Sequence, residues 1–230
     1  MATTLTALRA QCRLLLASTT AWPNATLDAF IADAIRAYSA ELPRVYRNTL
    51  ALTTGTQAYA LPGAHGFLGV VSVEYPAGED PPEFLYPVAE WSAEFGAGAE
   101  VYALRGVADN LAIESDTSAG WIVFAETVAT GESAVVAYYG LHRIPNAGDD
   151  AAQITVPEAH WDALIAFVDF RCHWELESDE AIVAASTSIV LAQLGEDGRR
   201  TWNRWREVMD RLTATQVAAV WLPWADERIY

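Results

Sequence analysis

The feature that most constrains this chain is a segment near its C-terminal third that is apolar on two faces. In a helix from Pro157 to Glu177, one set of side chains has the spacing of a buried face, namely Trp161, Leu164, Ile165, Val168 and Cys172. A second stripe lies beside it and consists of Ala163, Phe167, Phe170 and Trp174. Such a helix must be covered on more than one side. We expect its own domain to cover one face, and a neighbouring subunit is a candidate cover for the other.

Two further helices are predicted after this segment. Ser178 is placed to cap one that stops at Gly195. The next begins after Gly198 and carries an apolar stripe, which consists of Trp202, Trp205, Met209 and Leu212. The same helix holds five of the 14 basic residues: Arg199, Arg200, Arg204, Arg206 and Arg211. Abundant aromatics together with arginine are typical of interfaces. We therefore predict a subunit interface at Phe167, Phe170, Trp174, Trp202, Arg204 and Trp205.

The tail from residue 216 to 230 is rich in large apolar side chains, and Pro223 is expected to break any helix that continues into it. Burying one such side chain is worth roughly 1.5–3 kcal/mol, whereas disordered tails contain few aromatics. We predict that this tail is a docking arm that becomes ordered on a partner protein. Its docking residues are Val220, Trp221, Leu222, Pro223, Trp224, Ile229 and Tyr230.

The formal net charge of −16 argues against specific nucleic-acid binding, because that binding requires basic groups that neutralise phosphates. An acidic wall would still let DNA pass without holding it. Cys12 and Cys172 lie in apolar helical patterns and are expected to be buried thiols. No stretch approaches the roughly 20 apolar residues of a membrane span. We expect a soluble, intracellular protein.

The N-terminal region predicts two helices. The first spans Thr3 to Ala17. The second is capped by Asn24 and ends at Pro43, with a buried stripe of Leu27, Phe30, Ile31, Ala34, Tyr38 and Leu42.

From Tyr46 the period changes from 3.6 to 2, which indicates strands. Asn48 to Thr53 and Gln57 to Leu61 flank a Thr-Gly-Thr turn and predict a β-hairpin. A short helix is predicted from Val88 to Phe95. Five more strands are predicted at Val70 to Tyr75, Glu100 to Arg105, Leu111 to Glu114, Trp121 to Glu126 and Ser133 to Leu141.

This order of elements predicts an α+β fold, in which helices from both chain ends form a bundle and an antiparallel β-sandwich or barrel-like domain is inserted between them. The predicted boundaries are 1–45 for the N-terminal helices, 46–145 for the β domain, 146–215 for the C-terminal helices and 216–230 for the docking arm.

No catalytic, cofactor or metal motif stands out, and we predict a protein that is not an enzyme and needs no cofactor. His160 and His173 lie thirteen residues apart, on different faces of one helix, and cannot chelate one ion together. Trp91 and Trp121 in the β domain could stack on sugars. A carbohydrate-binding β-sandwich therefore stays open as an alternative.

Several segments resemble head-tail adaptor proteins of tailed bacteriophages. They are the stretch from Thr20 to Arg44, which includes Trp22-Pro23-Asn24, then Gly55 to Pro62, and then Val70 to Pro76, with looser agreement in the helical end of the chain. The resemblance implies a ring, usually of twelve copies, docked beneath the portal protein. It implies that the tail is a portal-docking arm and that a downstream tail or neck protein is the other partner.

We accordingly expect a structural head-tail adaptor, or connector, that lets DNA pass. Its expected place is the neck of the virion, between capsid and tail, after assembly in the host cytoplasm. A stopper or tail-completion ring protein is an alternative from the same machine.

Overall fold

The change from helical to strand periodicity and back appears directly in the element order. The computed structural model describes residues 4–16, 22–61, 66–97, 100–105, 120–125, 131–146, 148–178 and 196–225. Five helices lie in these ranges: α1 (Leu5–Leu15), α2 (Asn24–Glu41), α3 (Ala93–Gly96), α4 (Trp161–Ser178) and α5 (Glu196–Ala225). A 3-10 turn at Glu158–His160 precedes α4.

Seven strands lie in the same described ranges: β1 (Arg44–Ala51), β2 (Ala58–Ala60), β3 (Phe67–Glu74), β4 (Phe84–Pro87), β5 (Val101–Arg105), β6 (Trp121–Phe124) and β7 (Ser133–Gly140). The predicted α+β class is therefore confirmed. Contacts divide the chain into two compact units, one made of Met1–Leu42 and His142–Tyr230 and the other of Pro43–Leu141. We call them the helical unit and the sheet unit.

The helical unit is built on the predicted apolar stripe of α2. Leu27, Ile31 and Ile35 are fully buried there. Helix α4 contacts α1, α2 and α5. The apolar residues of these four helices form one core with Ala152, Ile154 and Val156, which precede the 3-10 turn.

The N-termini of the first two helices differ in how they are capped. The Thr4 hydroxyl oxygen accepts a hydrogen bond from the Ala7 amide at 3.4 Å, so Thr4 caps α1. The predicted Asn24 cap is wrong, because α2 begins at Asn24 itself and Pro23 occupies the cap position. The Asn24 side-chain oxygen instead accepts from Nη2 of Arg13 at 2.5 Å. Its side chain therefore stabilises the pairing of α1 with α2 and leaves the first turn of α2 uncapped.

The last helix is longer than its sequence suggests. Helix α5 continues to Ala225, so the expectation that Pro223 prevents a helix in the tail is wrong. A proline removes one backbone hydrogen bond and crowds the preceding turn, and here it lies only two residues before Ala225. The backbone of residues 216–225 is thus already helical in the single chain, without a docking partner. The helix predicted between Ser178 and Gly195 lies outside the described residues, apart from Ser178, which ends α4.

The sheet unit contains one curled sheet with the strand order β1-β7-β3-β4-β5-β6-β2. The neighbouring pairs are antiparallel, except β4 with β5, which are parallel. A single curled sheet corresponds to the barrel-like alternative, and the predicted all-antiparallel pairing is wrong at that one pair.

The predicted hairpin between the first two strands is wrong. Strand β1 pairs with β7 along its whole length, and β2 pairs with β6. The predicted turn does form, with Gly55 at φ +81° and the Thr56 amide donating to the Thr53 carbonyl at 3.0 Å. The Tyr59 hydroxyl lies 2.8 Å from the Thr53 amide, which donates to it. The turn therefore joins the two ends of the curled sheet.

The sheet unit contains one strand that was not predicted and one predicted helix that is shorter than expected. Strand β4 was missed, because the segment before it is rich in proline and acidic residues. The short helix is present but is one turn long and capped by Ser92, whose hydroxyl accepts from the Phe95 amide at 3.2 Å. The predicted strand at 111–114 lies outside the described residues.

Stacked aromatic rings form part of the core of the sheet unit. The ring of Tyr138 lies 5.6 Å from that of Tyr46 and 5.8 Å from that of Phe67. The Tyr46 hydroxyl donates to the Leu141 carbonyl at 2.9 Å. Gly66 lies against the Leu141 side chain with φ +59°, and a Cβ added there would be 2.7 Å from Leu141 Cδ1. Only glycine fits this position without displacing a buried leucine.

Candidate functional site

The second apolar face of α4 is covered by α5 of the same chain. The Phe167 ring lies 5.3 Å from Trp205, and the Phe170 ring lies 5.0 Å from Trp202. Trp202 and Trp205 are 4.8 Å apart, and Phe170 also contacts Trp174 at 5.6 Å. These edge-on and tilted ring pairs stabilise the packing of α4 on α5, in addition to the stabilisation that comes from burying their apolar surface.

The residues predicted for a subunit interface therefore have different environments in the chain. Phe170 and Trp205 are each 5% exposed and belong to the interior of the chain. Phe167, Trp174 and Trp202 are half-buried, and Arg204 is exposed. The second group retains surface that another molecule can contact, and its role between subunits stays a prediction.

Beside these rings, α5 presents exposed arginines. Arg199, Arg200 and Arg204 are exposed, and with Asn203 and Glu207 they line an opening of about 710 Å³. Nη1 of Arg206 donates to Oε1 of Glu41 at 2.5 Å.

A cleft of about 420 Å³ adjoins this surface between α4 and α5. Its described lining comprises Asp169, His173, Arg200, Thr201 and Arg204. Burial raises the pKa of the Asp169 carboxyl, and electrostatic interactions with His173, Arg204 and Arg200 oppose that shift. Oδ1 of Asp169 lies 3.7 Å from Nε2 of His173. The cleft thus places one partly desolvated carboxyl group beside two arginines and a histidine.

Two buried polar clusters in the helical unit were missed by sequence reasoning. Arg9 donates from Nε and Nη2 to the two carboxylate oxygens of Asp28, at 2.5 and 2.9 Å, and from Nη1 to Asp150 at 2.5 Å. The hydroxyl of Tyr38 lies 2.6 Å from Nδ1 of His160. Burial raises the pKa of Tyr38 to about 12. Because the partners lie far apart in sequence, no local spacing signals either cluster.

Neither cluster has the geometry of a metal centre. Within the parts of the chain that the structure describes, no group of three or more histidine, cysteine, aspartate or glutamate residues could hold a metal ion. His160 lies beside Tyr38 and His173 beside Asp169. His65 lies outside the described residues.

The sheet unit exposes several aromatic side chains. Trp91 is 90% exposed, Tyr86 67%, Phe84 48% and Trp121 46%. Next to Trp91, Glu90 accepts from Nε of Arg105 at 2.9 Å, and this hydrogen bond lowers the pKa of the Glu90 carboxyl. The backbone partner of Arg105 on β6 is Trp121. One turn thus presents Trp91 to solvent, and the ion pair of Glu90 with β5 anchors that turn.

The structure describes the backbone of some of the predicted docking residues of the tail. Val220, Trp221, Leu222, Pro223 and Trp224 lie in the final turns of α5. Ile229 and Tyr230 lie outside the described residues. In the described chain, no helix is long and apolar enough to cross a membrane.

The fold is that of a mixed helical and sheet protein that exposes arginine and aromatic side chains. Comparison with known families is more specific: the profile of the SU10 adaptor protein family matches residues 3–219. The chain belongs to the SU10 adaptor protein family. This match confirms the resemblance to phage head-tail adaptor proteins. A search of curated proteins finds no matching relative.

Proposed function

We propose that this chain is a structural, non-enzymatic head-tail adaptor of a tailed phage particle. It forms a ring beneath the portal protein, connects the portal to a downstream tail or neck protein, and lets DNA pass through its centre. The observation that carries this proposal is the adaptor-family match over almost the whole chain. The site of action is the virion neck, after assembly in the host cytoplasm.

In this proposal the helices from both chain ends form the bundle that makes the ring body, and the inserted sheet unit faces outward or toward the tail. A ring of identical copies needs two different contact surfaces on each copy. Phe167, Trp174, Trp202 and Arg204 supply one of them, because each keeps exposed surface beside the packed interior of α4 and α5. Phe170 and Trp205 act indirectly, since they hold α5 against α4.

The portal-docking arm is the C-terminal end of α5 together with the residues after it. A 30-residue helix is roughly 45 Å long. Val220, Trp221, Leu222 and Trp224 then dock as a helix lying in a groove of the portal, a common mode of peptide recognition. Because the backbone of 216–225 is already helical, docking requires less ordering than an extended tail would need.

The charge of the chain suits a conduit for DNA. A net charge of −16 keeps phosphates from binding along the wall of a channel. A stopper or tail-completion protein would share these properties and would differ from an adaptor in the protein that it contacts. An adaptor contacts the portal directly, whereas a stopper contacts a ring that is already docked.

The test is a pull-down with purified portal protein from the same phage. The full chain and a chain truncated after residue 215 are compared, and retained partners are quantified by mass spectrometry. We expect only the full chain to retain the portal. Equal retention by both chains would reject the docking arm, and no retention by either would reject the adaptor role.

One observation favours a second candidate function. Trp91 and Trp121 are exposed in the sheet unit, as a carbohydrate-binding protein requires for stacking on sugar rings. Binding of the full chain to a panel of bacterial surface glycans tests this function. Glycan binding that is lost in W91A and W121A, without any retention of portal protein, would favour it over the adaptor.

A further inference from the structure

The exposed arginines of α5 form a basic surface on a strongly acidic protein. We call Arg199, Arg200, Asn203 and Arg204 the α5 arginine face. These residues line one continuous opening together with Glu207, and Arg200 and Arg204 also reach the adjoining cleft that contains Asp169. Guanidinium groups form paired hydrogen bonds with carboxylates and lose less hydration than ammonium groups. This face is suited to protein carboxylates.

The sheet unit carries a segment of the opposite character. Residues 74–100, the acidic aromatic segment, contain no basic side chain and seven acidic ones: Glu74, Glu79, Asp80, Glu83, Glu90, Glu94 and Glu100. On β4 the exposed Phe84 and Tyr86 alternate with the buried Leu85, so both rings lie on the outer face of the sheet. Trp91 follows in the next turn. Aromatic side chains beside charge are the usual anchors of protein interfaces.

We propose that the acidic aromatic segment of one copy docks on the α5 arginine face of a second copy. This inference rests on the proposed ring and assigns the residues of its subunit contact. Each chain carries one surface of each kind, in different units, so the contact is heterologous: every copy offers the segment to one neighbour and the arginine face to another. Repetition of such a contact closes a ring when its rotation permits.

Charge complementarity favours a second copy over duplex DNA as the occupant. The arginine face belongs to a chain with a net charge of −16, which repels a polyanion at distances beyond the immediate contact. The acidic segment of another copy brings seven carboxylates, of which Glu90 is already paired with Arg105 and Glu74 accepts from the Gly78 amide. It also brings three exposed aromatic rings, which can cover the half-buried Trp202 beside the arginines. DNA offers no comparable apolar anchor at its phosphate backbone.

Charge reversal in the full-length protein tests the contact, with assembly followed by mass photometry over a range of concentrations at low salt. R199E/R204E and E83R/E100R should each raise the concentration needed for assembly by at least about tenfold, because like charges then face each other. The chain that carries all four substitutions should assemble within about threefold of the wild type, since the pairing is restored with its signs exchanged.

R47E/R143E is the matched control, because it changes the net charge as R199E/R204E does at exposed arginines outside the face. It should assemble normally. Failure of the four-substitution chain to recover assembly, or unchanged assembly in either double variant, overturns the inference. Binding of a 30-base-pair duplex that R199E/R204E abolishes would show that DNA occupies the face, which also overturns it. Retention of portal protein is measured separately for each variant. A variant that loses assembly but retains the portal would show that the adaptor function does not depend on this contact.

Discussion

Removing Arg9 should destabilise the helical unit strongly, because it leaves the Asp28 carboxylate buried without its counterion. The two side chains are each 4% exposed, and two hydrogen bonds of 2.5 and 2.9 Å join them. In the described part of the chain, the remaining donor to that carboxylate is the Gly148 amide, at 3.1 Å. Breaking a buried ion pair by removing one partner costs about 3–5 kcal/mol. We expect R9A to lose that much free energy of unfolding.

Two variants separate the buried charge from other consequences of the substitution. D150A removes only the third member of the cluster, whose side chain is 70% exposed, and should cost about 1 kcal/mol or less. R9M/D28L removes both buried charges and replaces them with apolar side chains. It should be more stable than R9A by about 2 kcal/mol or more, because no unpaired charge remains.

The assay is urea unfolding followed by far-ultraviolet circular dichroism and tryptophan fluorescence, with the two units fitted as separate transitions. A loss below about 1 kcal/mol in R9A would refute the reasoning. So would a loss in R9M/D28L that equals the sum of the R9A and D28L losses, since residues in one ion pair should not be additive.

Three further predictions concern the interior of the two units. W205A should lower the free energy of unfolding by about 3–5 kcal/mol, because the Trp205 ring is buried against α4. W91A should change it by less than about 0.5 kcal/mol, because Trp91 is exposed. Similar urea midpoints for the two variants would contradict the packing of Trp205 on α4. G66A should destabilise the sheet unit, and its cost in thermal unfolding should be smaller in an L141A background than in the wild type, because the added Cβ meets Leu141; a G66A chain with wild-type stability would contradict this. Burial raises the pKa of the Cys12 and Cys172 thiols from 9.0 to about 12, so the folded chain should resist a thiol reagent at pH 8. Its stability should fall as the pH rises from 9 toward 12, because the thiols then ionise more readily in the unfolded chain. Fast labelling of the folded chain at pH 8 would disprove the burial of these thiols.

The local part of the fold follows from the sequence, and the non-local part does not. The spacing of Leu27, Ile31 and Ala34 predicts α2 and its buried face, because a helix repeats every 3.6 residues whatever it packs against. The turn at Gly55 is likewise predictable from local backbone preference. The pairing of the strands beside it is not, since β1 finds its partner in β7, more than eighty residues later.

For the candidate surfaces too, local features are predictable from the sequence and non-local contacts are not. The apolar stripes of α4 predict that both faces are covered, but periodicity cannot say whether α5 or another subunit covers the second face. The Arg9 cluster joins residues 19 and 141 positions apart, so no spacing rule could find it. Pro223 misled for a different reason: a proline inside a helix removes one hydrogen bond and can kink the helix without ending it.

The most direct test of adaptor function is electron microscopy of particles assembled in cells that lack this chain. The proposed function predicts DNA-filled or empty capsids and separate tails, with joined particles restored by the full chain and not by a chain truncated after residue 215. Joined, infectious particles in the absence of the chain would contradict the account.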